Sequence, residues 1–145
     1  MNNTEFKKIL QNCTNKLGFR YCKKNYYYQD ETLVIVINVQ KSNFDDSYYV
    51  NYGFLIKDIH DNIENPKIND CDIVGRFINY VDDRIEYDFQ LYTLSEDKLI
   101  ESLDYNLNNI IAPVVNEGIK KYFELYPKAI LSAKRNLQEY LERKR

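Results

Sequence analysis

The sequence predicts an α+β fold, with an N-terminal helix, an antiparallel meander of about five strands, and C-terminal helices packed on one sheet face. Three observations support this class. Apolar residues recur at helical spacing over residues 6–17, at alternate positions between residues 25 and 93, and at helical spacing again after residue 95. Short connections between the alternating runs favour antiparallel neighbours. We therefore expect a single domain over residues 1–145.

The N-terminal helix is predicted from one apolar stripe with the spacing i, i+3, i+4, i+7 and i+11. The stripe consists of Phe6, Ile9, Leu10, Cys13 and Leu17. Asn3 or Thr4 is suited to cap this helix, and Gly18 is suited to end it because glycine adopts the left-handed conformation without strain. We interpret Cys13 as a small core residue because it lies on the stripe.

The strands are predicted from alternating runs that polar turns separate. The runs YYYQ and LVIVINVQKS form a first hairpin around the polar QDET turn, and SYYVNYGFLIK returns after the SNFDDS loop. Two further strands are expected at residues 71–78 and 85–93. The apolar members of the last strand are Ile85, Tyr87, Phe89 and Leu91. Residues 58–70 show no periodicity, so we interpret them as the least constrained loop.

The register of the central hairpin follows from its side chains. Pairing Ile37 with Tyr52 and Asn38 with Asn51 puts the apolar residues on one face, whereas a shift by one residue would mix apolar and polar rows. The opposite face then carries Asn38, Gln40, Tyr49 and Asn51.

This polar face has two interpretations. A solvated outer face of an antiparallel sheet needs no ligand. Neutral amides, however, are weak strand formers, so their concentration here also suggests a recognition surface. Gly53 lies opposite Val36 on the same face, and its lack of a side chain permits a close approach to the backbone.

The C-terminal region is predicted to be helical from Ser95, which is suited to cap a helix. This helix is expected to bend or stop near Ala112, because Pro113 disfavours helical geometry in the residue before it. The helical pattern continues to Pro127, and a last helix is expected over residues 130–141. The residues that we expect in the core are Phe6, Leu10, Leu17, Ile37, Val39, Val50, Tyr52, Phe54, Leu103, Ile119, Phe123 and Leu137.

Composition argues against several classes of function. The net charge is −2, from 20 Lys and Arg against 22 Asp and Glu, so no basic field attracts nucleic acid. No run approaches the roughly 18 apolar residues of a membrane span, and the start MNNTEFKKIL lacks an export signal. Three cysteines without a CxxC pair suit reduced thiols. We expect a cytoplasmic protein, and the abundance of Asn, Lys, Ile and Tyr suggests an AT-rich bacterial genome.

An enzyme is the alternative that the residues leave open. His60 is the only histidine, and we interpret it as an exposed imidazole in a polar loop. The glycines are not clustered, so no phosphate-binding loop is present. The carboxylates on adjacent predicted strands that could hold Mg²⁺ for phosphodiester hydrolysis are Asp72, Glu86 and Asp88. Lys41 or Arg76 would then steady the phosphate, although the same carboxylates also suit a solvated strand face.

Four stretches of the chain together resemble a known family: LGFRYCKKNYYY, VINVQKSNF, YYVNYGFLI and DCDIVGRF. They resemble the bacterial family catalogued as domain of unknown function 4304, over roughly residues 6–94 and most clearly over the hairpin. The matching positions are Gly18, Phe19, Gln40, Lys41, Ser42, Asn51, Gly53, Cys71 and Arg76. Family members often have a tryptophan near the last strand, where this chain has Tyr87 and Phe89.

The resemblance implies an intracellular α+β domain without an established enzyme activity. Relatives appear among the candidate immunity proteins of bacterial toxin systems, which implies a protein partner such as a toxin domain. We therefore expect a non-catalytic protein-binding module without a cofactor, with a nuclease or a purely structural role as the alternatives. The residues expected to bind the partner are Asn38, Gln40, Lys41, Tyr49, Asn51 and Arg76.

Overall fold

The order of helices and strands confirms the α+β class. The computed structural model describes residues 1–144. The helices are α1 (Asn3–Asn15), α2 (Glu96–Asn106), α3 (Ala112–Glu117), α4 (Ile119–Leu125) and α5 (Arg135–Arg143). The strands are β1 (Arg20–Cys22), β2 (Asn25–Gln29), β3 (Leu33–Lys41), β4 (Ser47–Ile56), β5 (Ile73–Arg76), β6 (Asn79–Val81), β7 (Arg84–Glu86) and β8 (Phe89–Gln90). The short strand β1 was not among the predicted elements.

The main sheet of the described residues has six strands. Its antiparallel order is β1-β2-β3-β4-β5, with β8 also paired to the start of β4. Strands β6 and β7 form a separate two-stranded ribbon. Successive strands are neighbours from β1 to β5, which confirms the meander.

The predicted register of the central hairpin is confirmed. Ile37 pairs with Tyr52, Asn38 with Asn51, and Gln40 with Tyr49. The apolar row faces the helices and the amide row faces the other side of the sheet, because successive side chains of a strand point to opposite faces.

The N-terminal helix begins one residue earlier than expected. The side chain of Asn2, and not that of Asn3 or Thr4, caps it by accepting from the Glu5 backbone N–H at 2.8 Å. Gly18 has a φ of +88°, which confirms the left-handed residue that ends the helical segment. Phe6, Leu10 and Cys13 turn toward the sheet and are buried.

The core prediction is largely confirmed. Its buried members are Phe6, Leu10, Ile37, Val50, Tyr52, Phe54, Leu103, Ile119 and Leu137. Leu17, Val39 and Phe123 are half-buried and pack against this cluster from its margin. Val39 and Phe123 lie near the ends of β3 and α4, and Leu17 lies just beyond α1, where fewer neighbours cover a side chain.

The predicted strand at residues 85–93 is wrong as a single strand. Asp82 and Asp83 both have positive φ angles, of 49° and 66°, and form the two-residue turn of the β6–β7 ribbon. Ile85 and Tyr87 are more than half exposed, at 53% and 57%. Only the later part, β8, joins the main sheet, and its Phe89 is buried.

The C-terminal helices follow the predicted pattern with three differences. Residues 107–111 form a π-helical turn, in which the Ala112 N–H donates to the Leu107 carbonyl. The wider turn keeps the chain helical through Pro113, whose ring excludes the usual bond at that point. Gly118 then breaks the helix, and residues 127–132 are 3-10 helical, so the last α-helix starts only at Arg135.

Residues 58–70 form a loop, as predicted, and this loop lies against the main sheet. This segment crosses the outer face of the sheet, with 3-10 turns at Lys57–Ile59 and Ile68–Asp70, and its Pro66 is buried. Beneath it lies a second apolar cluster that consists of Tyr27, Val34, Val36, Leu55 and Cys71. Within residues 1–144, no helix combines the length and the apolar character that crossing a membrane requires.

Candidate protein-binding surface

The outer face of the sheet is divided into a covered apolar end and an open polar end. The close approach expected at Gly53 is made by the chain itself, because a Cβ there would lie 2.7 Å from the Cys71 sulfur. Beyond this covered end, five side chains form a connected group that we call the amide patch. Its members are Asn38, Gln40, Tyr49, Asn51 and Arg76.

Asn51 is the centre of the amide patch. Its side-chain nitrogen donates to Asn38 Oδ1 at 2.9 Å and to Gln40 Oε1 at 3.0 Å. Its Oδ1 accepts from Arg76 Nε at 3.0 Å. The hairpin register explains the arrangement, since Asn38 and Arg76 are the direct cross-strand partners of Asn51 and Gln40 is a diagonal neighbour. Asn51 is therefore almost enclosed, at 8% exposure, while Gln40 stays accessible.

Arg76 lies at the edge of the patch and is held in one orientation. Its guanidinium carbon stands 4.1 Å from the centre of the Tyr49 ring, a cation–π contact. Together with the Nε bond to Asn51, this contact fixes the plane of the guanidinium. The Arg76 side chain remains exposed.

Lys41 does not belong to the amide patch. It pairs with Tyr48, whose side chain is buried on the helix side of the sheet, so alternation directs Lys41 away from the amides. Lys41 instead lies near Asp45 in the loop between β3 and β4. A hydrogen bond from the Ser47 hydroxyl lowers the pKa of the Asp45 carboxyl, and Lys41 makes a smaller contribution in the same direction.

Phe44 is a candidate residue that the sequence reasoning missed. It lies in the loop that joins β3 to β4, the two strands that carry most of the amide patch, and its side chain is 96% exposed. An exposed phenylalanine beside oriented polar groups is typical of an interface anchor. The signal in the sequence was a single aromatic residue within the polar SNFDDS turn.

The structure does not assemble the carboxylates of the nuclease interpretation. Asp72 is buried and accepts from the Ile56 N–H, while Glu86 pairs with Arg84 at 3.3 Å in the ribbon. Among residues 1–144, no three His, Cys, Asp or Glu side chains are close enough to hold a metal ion. The interpretation of His60 as an exposed imidazole is wrong, because it is half-buried and its Nε2 contacts Asp72.

The buried thiols are poorly suited to nucleophilic chemistry. Burial raises the pKa of the Cys71 thiol to about 12, and the nearby Asp72 and Asp70 carboxylates act in the same direction. Burial likewise raises the pKa of Cys13, with a further contribution from Asp104. Because the thiolate is the reactive form, both residues serve as packing groups.

A groove of about 610 Å³ separates the β6–β7 ribbon from α2. Tyr80 and Tyr105 meet edge-to-face along it, with ring centres 5.4 Å apart. Its cations are matched by nearby acids, as in the Lys98–Glu101 pair. Arg84 likewise pairs with Glu86, which leaves Asp82 as the charged residue of the lining outside these pairs.

Comparison with known proteins gave a match to a family model. A search of curated proteins and a search of solved structures gave no match. The family model described as "Domain of unknown function (DUF4304)" matches residues 10–117. The match includes every strand and continues to the end of α3, well beyond the resemblance expected over residues 6–94. The chain therefore belongs to the DUF4304 family, a domain of unknown function.

Proposed function

We propose that this protein is a non-catalytic binding module that recognises another protein through the amide patch and Phe44. The observation that carries the proposal is the bonded arrangement of Asn38, Gln40, Asn51 and Arg76 on an open sheet face. Because these side chains are cross-strand neighbours, they bond to one another and are held in one arrangement. Holding them in this way reduces the side-chain entropy that binding would otherwise cost.

Phe44 supplies the apolar component of the proposed interface. Interfaces combine oriented polar contacts with aromatic anchors that enter pockets of the partner. Tyr49 is the aromatic residue among those expected to bind the partner, but its ring is already covered by the Arg76 guanidinium. The fully projecting Phe44 ring is better placed to enter a partner.

The finer proposal is that the partner is a bacterial toxin domain, which this protein neutralises by direct binding in the cytoplasm. The motivation is the association of relatives with candidate immunity proteins, together with a rigid surface that needs no cofactor to act. A binding module blocks a toxin by covering its active surface, so its own chemistry is dispensable.

The proposal is tested by affinity capture from the source organism with matched variants as baits. We expect the double variant Gln40→Ala/Phe44→Ala to lose a specific partner that wild type retains. The control Gln11→Ala/Tyr92→Ala removes an exposed amide on α1 and an aromatic side chain that is 80% exposed, both outside the patch. Reconstitution with the purified partner should then show affinity reduced by at least about tenfold for the patch variant alone.

Equal retention of every partner by wild type and the patch variant would show that this surface is not the recognition site. The neighbouring gene gives an independent check, since a toxin gene beside this one is expected under the finer proposal.

A further inference from the structure

We infer that the amide patch recognises an aspartate or glutamate side chain on its partner, bound by the outer edge of the Arg76 guanidinium. The inference rests on the proposed function and specifies the partner's chemistry.

The first argument is the orientation of the amides. The Asn51 nitrogen donates to the oxygens of both Asn38 and Gln40, so these two oxygens point into the patch. The side-chain nitrogens of Asn38 and Gln40 are then the ends available to a partner, and nitrogen of an amide only donates. The Asn51 oxygen is occupied by Arg76. The patch thus presents donors outward and is complementary to an acceptor.

The second argument is the geometry of Arg76. Its Nε is bonded to Asn51, and its face lies on Tyr49. What remains is the edge formed by the two terminal nitrogens, which matches the two oxygens of a carboxylate. A fixed guanidinium loses less side-chain entropy on binding than a free one.

The third argument is charge balance. Arg84 and Arg135 lie 3.3 Å and 3.1 Å from the carboxylates of Glu86 and Glu139. Within the part of the chain that the structure describes, the ion pairs include none for Arg76. Arg76 is also the only charged member of the patch, so a partner gains complementarity by placing one negative charge there.

A carboxylate suits this site better than a nucleic-acid phosphate. Nucleic-acid binding uses many cations along a track, each neutralising one phosphate. The patch offers one cation among neutral amides, on a chain whose net charge is −2. The planar fork and the flanking donors instead fit one planar acid.

The test is a titration of the ¹⁵N-labelled protein with N-acetyl-glutamate N-methylamide, followed by NMR of the arginine Nε–H and asparagine side-chain signals. We expect saturable shifts at Arg76 and Asn51, with a Kd on the order of 10 mM. N-acetyl-glutamine N-methylamide and inorganic phosphate serve as comparison probes, and Arg84 and Arg135 serve as internal controls because their charges are already paired.

Arg76→Lys keeps the charge and removes the fork, so we expect the saturable Asn51 response to weaken by about tenfold or to disappear. Equal responses to the glutamate and glutamine probes, a stronger response to phosphate, or equal shifts at Arg76, Arg84 and Arg135 would each overturn the inference.

The two proposals fail separately. If the Gln40→Ala/Phe44→Ala variant loses the partner but the carboxylate probe gives no response, the proposed interface stands and the inferred carboxylate recognition fails. If the carboxylate probe binds at Arg76 but the Gln40→Ala/Phe44→Ala variant captures the same partners as wild type, the carboxylate site stands and the proposed function fails.

Discussion

The Nε2 atom of His60 lies 2.7 Å from Oδ1 of Asp72, and the carboxylate of Asp72 is completely buried. Oδ2 of the same carboxylate accepts from the Ile56 N–H at 2.8 Å, and the Asp72 backbone carbonyl accepts from the Lys134 N–H at 2.8 Å. One residue therefore joins the end of β4, the segment over the outer face, and the entry to α5. This arrangement explains why Asp72 is structural and why the metal-site interpretation fails for it.

Asp72→Ala is expected to lower the free energy of unfolding by about 3 kcal/mol, because it leaves a buried backbone donor without an acceptor and removes a charged hydrogen bond. Urea denaturation measures the change. Asp61→Ala, at an exposed position of the same segment, is the control and should stay within about 0.5 kcal/mol of wild type. Similar midpoints for the two variants would contradict the role given to Asp72.

Gly53→Ala is expected to destabilise the fold by about 1–3 kcal/mol through overpacking against Cys71. The added Cβ would lie 2.7 Å from the Cys71 sulfur and 2.8 Å from its Cβ. Because both atoms clash, Cys71→Gly should relieve the strain more than Cys71→Ala does. A double-mutant cycle by thermal denaturation measures this coupling, and strict additivity would show that the two residues do not press on each other.

Asn51→Ala and Gln40→Ala are expected to differ in stability although both remove one amide of the patch. Asn51 is enclosed and bonded to three side chains, so its loss should cost about 1–3 kcal/mol. Gln40 is exposed and makes one of these bonds, so its loss should cost about 0.5 kcal/mol or less. Chemical denaturation of both variants checks the difference. Equal costs would mean that Asn51 does not organise the patch. Because Asn51→Ala is expected to lower stability, it is a poor probe of binding.

Stability is expected to fall as the pH rises above about 10, because the Tyr26 phenol has a raised pKa in the folded state. Burial, with a contribution from Tyr21, raises the pKa of Tyr26 to about 12 from the usual 10. Between these values the folded state holds a proton that the unfolded state has lost. From about pH 9 to about pH 11 this group alone should remove about 1 kcal/mol.

Tyr26→Phe isolates this contribution. The variant loses the hydroxyl that donates to the Lys7 carbonyl, so it should be slightly less stable at neutral pH. Its stability should decline less steeply than that of wild type above about pH 10. Parallel declines in both proteins would assign alkaline unfolding to other groups.

Calorimetric titration with Mg²⁺ or Mn²⁺ is expected to give no saturable binding, since the structure does not bring Asp72, Glu86 and Asp88 into one metal-binding group. Saturable binding that Asp88→Ala abolishes would restore the nuclease alternative.

The parts of the fold that could be predicted depend on local pattern. The alternation around Ile37 and Asn38 was enough to set the hairpin register, because an error of one residue would have reversed every side chain. The same reasoning placed Asn38, Gln40, Tyr49 and Asn51 on one face. Lys41, which was also expected to bind the partner, has the opposite parity within β3 and lies outside the patch.

The features that escaped prediction depend on contacts between distant parts of the chain. The break between β7 and β8, at residues 87 and 88, interrupts an alternation that in the sequence runs from Ile85 to Leu91. Few apolar residues occur in the segment before Cys71, so nothing local revealed that it covers the sheet. The contact of His60 with Asp72 is of the same kind, since neither residue carries a signal of the other.

Strand β4 is paired on both sides, with β3 along one edge and with β5 and β8 along the other. Its backbone amides therefore lie far from both solvent and the sheet edge. These amides are the ones that open only when the whole domain unfolds, so their hydrogen exchange should be the slowest in the molecule. Tyr49 and Asn51 of the amide patch lie on this strand, and the other members lie on the adjacent β3 and β5. The geometry of the patch should therefore survive local fluctuations that loosen the ribbon and the chain ends.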